Sequence, residues 1–146
     1  MTDPKVFISL DLKHNLIELI LFVGQSYNTR TNWDIMDWSF KEEIPEETWI
    51  EKVKEKINKC NLMIVLVGKY MKTATGVNKE IQIAKECNVP IFGVYVDGTD
   101  VSSDLPVGLE RFRTIPREWE KIGKWIDNCL EEGKNEHHLL EYLNKN

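Results

Sequence analysis

The sequence has few cysteines, and none are paired at metal-ligand spacing. Cys60, Cys87 and Cys129 are odd in number and far apart. With no CxxC and no Cys/His cluster, no metal site is expected. Each cysteine falls near the end of a predicted helix, on or beside its apolar stripe. They read as small core residues of a reducing compartment. No apolar run is long enough to span a bilayer. The opening Met1-Thr2-Asp3-Pro4 has no basic segment followed by an apolar stretch. No signal peptide is therefore expected, and the protein reads as cytoplasmic. No block of Lys and Arg stands out, and the formal net charge is −5. Both facts argue against nucleic acid or an anionic membrane as a partner. Phosphate-bearing small molecules stay open, because they need local donors and not a basic surface. Internal repeats and low-complexity segments are absent too.

What is present is an alternation of strand and helix. The 146 residues suit one domain with a sizeable core. Val6–Leu10 reads as a first strand, followed by a helix from about His14 to Val23. Trp33–Trp38 reads as a second strand, more alternating than the first. A helix is expected from about Glu46 to Lys59, where Trp49, Val53, Ile57 and Cys60 make one stripe. Pro45 suits its start, and Glu46 and Glu47 favour the positive end of its dipole. Leu62–Val67 is continuously apolar, as a central parallel strand covered on both faces must be. A helix from about Val77 to Cys87 and a strand over Pro90–Val96 come next. Phe112–Ile115 is a candidate short fifth strand. A helix follows from about Arg117 to Leu130, carrying Trp119, Ile122, Ile126 and Cys129 on one face, and Gly133 ends it. Residues 1–133 thus form one domain. Residues 134–146 form a tail in which Leu139, Tyr142 and Leu143 sit at helical spacing. A short docked helix is expected over Glu136 to Leu143.

Such alternation implies a parallel sheet with helices on both faces. Ligands of these sheets bind beyond the carboxyl ends of the strands. The residues to question therefore follow Leu10, Trp38, Val67 and Val96. The GxGxxG cradle of a dinucleotide fold is missing, because Ser9-Leu10-Asp11-Leu12-Lys13-His14 stands there. A Walker A loop is missing as well. The third strand ends in Val67-Gly68-Lys69, without the aspartate of a phospho-acceptor domain. Thr73-Ala74-Thr75-Gly76 has some likeness to a flavodoxin phosphate loop but follows the wrong strand. No Ser/His/Asp set is apparent, and His137 and His138 lie in the tail.

One carboxylate is out of place. At about 100° per residue, Val77, Ile81 and Ala84 form the core stripe of the third helix. Glu80 falls on the flank of that stripe. Burying an acid there is costly unless it is hydrogen-bonded or reaches a cleft. A capping box would need Ser or Thr three residues earlier, and Val77 stands there. A favourable helix-dipole interaction remains the structural alternative.

Three segments resemble the central block of the Toll/interleukin-1 receptor (TIR) and TIR-like domains: Met63–Gly68, Gly76–Ile81 and Val89–Val94. Lys5–Leu10 resembles their first strand. Asp37-Trp38-Ser39-Phe40-Lys41, with Pro45, stands in the place of their second strand and the loop after it. The resemblance covers Lys5 to Val96 well and the rest loosely. It is closest in flavour to the small bacterial TIR-like proteins of anti-phage systems such as Thoeris. It implies a flavodoxin-like three-layer sandwich with a parallel sheet of about five strands. It also implies consumption of NAD as substrate, with no cofactor, and an ADP-ribose-derived signal read by a separate effector.

The catalytic acid of NAD-consuming members is a Glu in the third helix, which places that role on Glu80. Many members carry Trp four residues before it, where this chain has Gly76. A carboxylate beside the ribose would stabilise an oxocarbenium-like cation. Trp38 or Phe40 could stack on a base. Ser9, Asp11 and Lys41 sit on the right sheet edge to bond ribose or phosphate. Two other functions stay open: a scaffold that self-associates without turnover, and a nucleoside deoxyribosyltransferase-like enzyme. The apolar residues of Leu16–Val23 nearly encircle the first helix. Its far side wants a second partner, either the tail helix or another copy of the chain.

Overall fold

The structure is a computed structural model that describes residues 3–28, 33–40 and 44–133. The expected tail helix and Lys41 lie outside the described residues. The elements run β1 (Lys5–Ser9), α1 (Leu12–Asn28), β2 (Asp34–Trp38), α2 (Glu46–Asn58), β3 (Leu62–Val67), α3 (Thr75–Glu86), β4 (Ile91–Tyr95), β5 (Thr114–Ile115) and α4 (Trp119–Glu132). Single 3₁₀ turns lie at Met71–Thr73 and Arg111–Arg113. The strands form one parallel sheet in the order β2-β1-β3-β4-β5. This is the flavodoxin-like arrangement.

The strand period of two sorts the central side chains into two cores. Phe7, Met63, Val65 and Val67 face α2 and α3, with Val53, Ile57, Val77 and Ile81 above them. Val6, Ile8, Leu62, Ile64 and Leu66 face the other way, under Leu19 and Phe22 of α1 and Ile122 and Ile126 of α4. β3 is buried along its whole length, as its unbroken apolar run requires. Phe22, Trp33 and Trp119 pack as an aromatic cluster, with Phe22 and Trp119 at 4.9 Å between ring centroids. Cys60 and Cys129 are buried and Cys87 is half-buried.

Element ends differ from the sequence reading. α1 starts at Leu12 and runs through Gly24 to Asn28, not from His14 to Val23. A mid-helix glycine costs only about 1 kcal/mol against alanine. Ser26 beyond it is buried, and its hydroxyl donates to the Val23 carbonyl at 2.6 Å. The first turn of α1 is offset from the body, because Asn15 has φ −122° and ψ 27°. β5 shrinks to two residues. α4 begins at Trp119 and extends to Glu132.

Asn15 explains its own backbone. It is fully buried, its amide donates to Asp97 at 3.3 Å, and its side chain lies flat against Gly68. A Cβ at Gly68 would overlap the Asn15 amide and stand 2.8 Å from its Cγ. Gly68→Ala is therefore expected to cost about 1–3 kcal/mol, the usual range for overpacking. Urea unfolding checks this: the midpoint should fall with the slope unchanged.

The edge strand β2 carries an irregularity that matters below. Its register against β1 runs Lys5–Asp34 and Val6–Ile35, then slips so that Phe7 meets Asp37 and Ile8 meets Trp38. One residue, Met36, is extra, as in a β-bulge. Beyond it every side chain of β2 lies on the face opposite to the one that regular pairing would give.

Candidate active site

The order β2-β1-β3 makes a switch point between β1 and β3. The chain leaves β1 toward α1 on one face and leaves β3 toward α3 on the other. The loops part there and leave a crevice beyond the carboxyl ends of the strands. A cleft of about 300 Å³ fills this place, lined by Leu10, Asp11, Phe40, Trp49, Thr75 and Gly76 among others. A larger hollow of about 640 Å³ lies along the outer flank of α3 against Val107 and Gly108. Glu80, Ser9 and Ser39 line neither cavity, but Gly76 and Val77, one turn before Glu80 on α3, line the smaller cleft at the switch point.

Glu80 is only 1% exposed, deeper than its place on the helical wheel implied. The helix explains part of this, since its residue lies beside the stripe of Val77, Ile81 and Ala84. The rest comes from β1 and β2, which close over the flank. Ser9 is the last residue of β1 and shares the face of Phe7. Its hydroxyl donates to Glu80 Oε1 at 2.7 Å. The Ser39 hydroxyl donates to the same oxygen at 2.5 Å. Glu80 Oε2 is buried and has no hydrogen-bond partner among the described residues. Burial pushes the carboxyl up to about 7 from an ordinary 4.5, although the bonds from Ser39 and Ser9 pull it back down. The site thus holds an acid poised near neutrality, with one oxygen anchored and the other free.

The bulge in β2 decides which residue meets Glu80. Asp37 pairs with Phe7 and so points to the α2 face, where Lys56 meets it at 2.8 Å. Ser39, two residues on, shares that face. Its backbone N–H donates to the Ile8 carbonyl at 2.9 Å. Trp38 pairs with Ile8, lies on the α1 face and is 42% exposed. The structure therefore sets Trp38 apart from the cleft and brings Ser39 to the carboxylate.

The other candidates fall in different places. Ser9 is fully buried against Glu80 and does not face the cleft. Asp11 lines the cleft, where its carboxylate meets His14 Nδ1 at 2.7 Å; the His14 ring stacks on Tyr70 at 4.0 Å. Phe40 lines the cleft beside Trp49, whose ring N–H donates to the Phe40 carbonyl at 3.1 Å. Lys56 stands over the Phe40 ring at 4.6 Å. Gly76 opens onto the same cleft, and a Cβ there would meet nothing within 4 Å. A ring at this position would stand in the cleft that Phe40 and Trp49 also line. The sequence reading missed Ser39 and Trp49. Trp49 was legible only as part of the α2 stripe, and no sequence signal marked Ser39.

The fold has counterparts among solved structures. The crystal structure of a prokaryotic SEFIR domain matches with a TM-score of 0.51 and 17% identity, over 89% of this chain and 92% of that one. The TIR domains of the activated Roq1 resistosome match with a TM-score of 0.46 and 13% identity, over 68% and 61%. No curated protein matches the chain. Among the described residues no helix is long and apolar enough to cross a membrane. The family described as Thoeris protein ThsB, TIR-like domain, matches residues 7–100, well over half of the chain, and the chain belongs to that family.

Proposed function

We propose that this domain cleaves the nicotinamide–ribose bond of NAD, with Glu80 as the catalytic residue. The observation that carries the reading is the Glu80 carboxyl itself. It is buried one turn on from Gly76 and Val77, which line the switch-point cleft, with Oε1 held and Oε2 unpartnered among the described residues. Perturbed acids in such places mark functional sites more often than chance.

In this chemistry the bond between ribose C1′ and the pyridinium nitrogen breaks. Its electron pair neutralises the nicotinamide. The ribose becomes an oxocarbenium-like cation, which an adjacent carboxylate stabilises. Water, or a hydroxyl of the same or another molecule, adds to C1′ and gives up a proton. The product is ADP-ribose, a cyclic isomer or a conjugate. NAD is the substrate, and the scheme calls on no cofactor.

Phe40 and Trp49 supply apolar walls against which a base can stack. Asp11 at the rim is an acceptor for ribose hydroxyls, and Lys41, next to Phe40 in the chain, is the candidate for the phosphates. The cleft is at the small end of ligand pockets, about 300–1,000 Å³. It suits one nucleoside half of the dinucleotide. Family membership supports an anti-phage setting in which the product signals to a separate effector.

A second reading, a scaffold that works by self-association, is favoured by α1. Leu16, Ile17, Ile20 and Leu21 all face outward, and Ile17 is 69% exposed. An outward apolar stripe of this kind favours contact with another copy of the chain. The deciding experiment incubates the pure protein with NAD and measures nicotinamide by chromatography. It is run at low and at high protein concentration, and with a lysate of phage-infected cells as trigger. Nicotinamide release in any arm supports the enzyme; none in all arms overturns it in favour of the scaffold.

A further inference from the structure

We infer that Ser39 is a positioning residue, which with Ser9 fixes one oxygen of Glu80 so that the other is left to work on the ribose. The inference rests on the NAD-cleaving reading above and extends it to how the carboxylate is aimed.

The hydrogen-bond directions carry the argument. A serine hydroxyl has one proton to give and lone pairs to receive. The Leu10 backbone N–H donates to Ser39 Oγ at 3.0 Å. A backbone N–H can only donate, so that bond occupies a lone pair and leaves the Ser39 proton for Glu80 Oε1. Ser9 donates its proton to the same oxygen. The two hydroxyls come from the end of β1 and from the residue that follows β2, so two segments converge on one atom of α3. Oε2 receives no hydrogen bond from the described residues, although it is buried. An orphaned buried acceptor is a liability unless a ligand completes it. Two donors on one oxygen and none on the other divide the carboxylate into a held end and a working end.

Among the described residues no charged neighbour offers a competing explanation. The causes acting on Glu80 are burial and the two serines alone. Ionisable groups on the packed elements are engaged elsewhere: Asp11 with His14, Asp37 with Lys56, and Lys79 with Glu46. A donor to the ionised carboxylate favours the charged form. Loss of Ser39 should therefore make Glu80 harder to ionise as well as less well aimed.

The test uses Ser39→Ala and the milder Ser39→Cys in the full chain, read in two ways. The first is a ¹³C NMR titration of the carboxyl groups without substrate, with the Glu80 signal assigned by its absence in Glu80→Gln. In Ser39→Ala the Glu80 midpoint should rise by about half a unit or more, with Ser39→Cys in between. The second is the kinetics of NAD cleavage. Here kcat should fall about tenfold or more, the scale of one hydrogen bond to a charged group, with KM within about twofold. An unmoved titration overturns the inference, whatever the activity does. So does a loss confined to KM, which would put Ser39 on the substrate, and so does a gain in rate, which would make it a latch. If the parent releases no nicotinamide in any arm of the assay above, the NAD reading fails. The titration still decides whether Ser39 holds the carboxyl.

Discussion

Glu80→Gln is expected to lower nicotinamide release from NAD by at least about a hundredfold, the usual scale for losing one preorganised electrostatic contact. The substitution keeps the shape and removes the charge. The amide oxygen can still accept from Ser9 and Ser39, so the side chain should stay in place. What is lost is the negative charge at the position of Oε2. The pH profile of the parent should show the same dependence. Only the ionised carboxylate stabilises a ribosyl cation, and Glu80 sits at about 7. kcat/KM should therefore rise with pH through neutrality and level off above it. kcat reports the complex, where a cationic pyridinium beside the carboxyl favours its charged form. Its acid limb should lie lower. A Glu80→Gln protein that turns over NAD like the parent removes the catalytic assignment.

The second large effect is on stability. Glu80 titrates at an ordinary 4.5 when the chain is unfolded and at about 7 when it is folded. Between those values the folded state binds more protons than the unfolded one, so stability falls as pH rises. The contribution of the neutral acid is fully present below pH 4.5 and is lost as pH rises through 7. At about 1.36 kcal/mol per unit, the shift is worth on the order of 3 kcal/mol. Glu80→Gln does not titrate and should not show this loss. At pH 4.5 it should be no more stable than the parent, because its amide puts N–H donors where Oε2 has no partner; such unmet donors cost about 1–3 kcal/mol. By pH 8 the balance should have moved in its favour by about 3 kcal/mol. Urea unfolding of both proteins at the two pH values measures this directly. Parallel stability curves across that range would mean that Glu80 is ionised in the fold throughout.

The layout of the fold was legible because its signals are local. A short apolar run bounded by Asn61 and Gly68 fits a buried strand, and Leu62–Val67 is one. The α2 and α3 stripes were likewise readable from spacing. The helix ends were less so. α1 passes through Gly24 because packing outweighs a single unfavourable residue, and the turn at Asn15 depends on Gly68 and Asp97 from the loops after β3 and β4. Glu80 was visible as an acid beside a core stripe, but the wheel put it on a flank. Its full burial needs β1 and β2 to close over it, and no helical wheel contains them.

By itself the sequence determined the alternation of strands and helices, the sheet edge that bears the cleft, and the acid that stands out there. Periodicity and composition act residue by residue and survive being read along a line. Only the tertiary structure decided that Ser39 and not Trp38 faces that acid. The choice turns on one extra residue in the pairing of β2 with β1, which reverses the side on which every later side chain of β2 lies. A register slip is a property of two strands together. It leaves no mark in the pattern of either one.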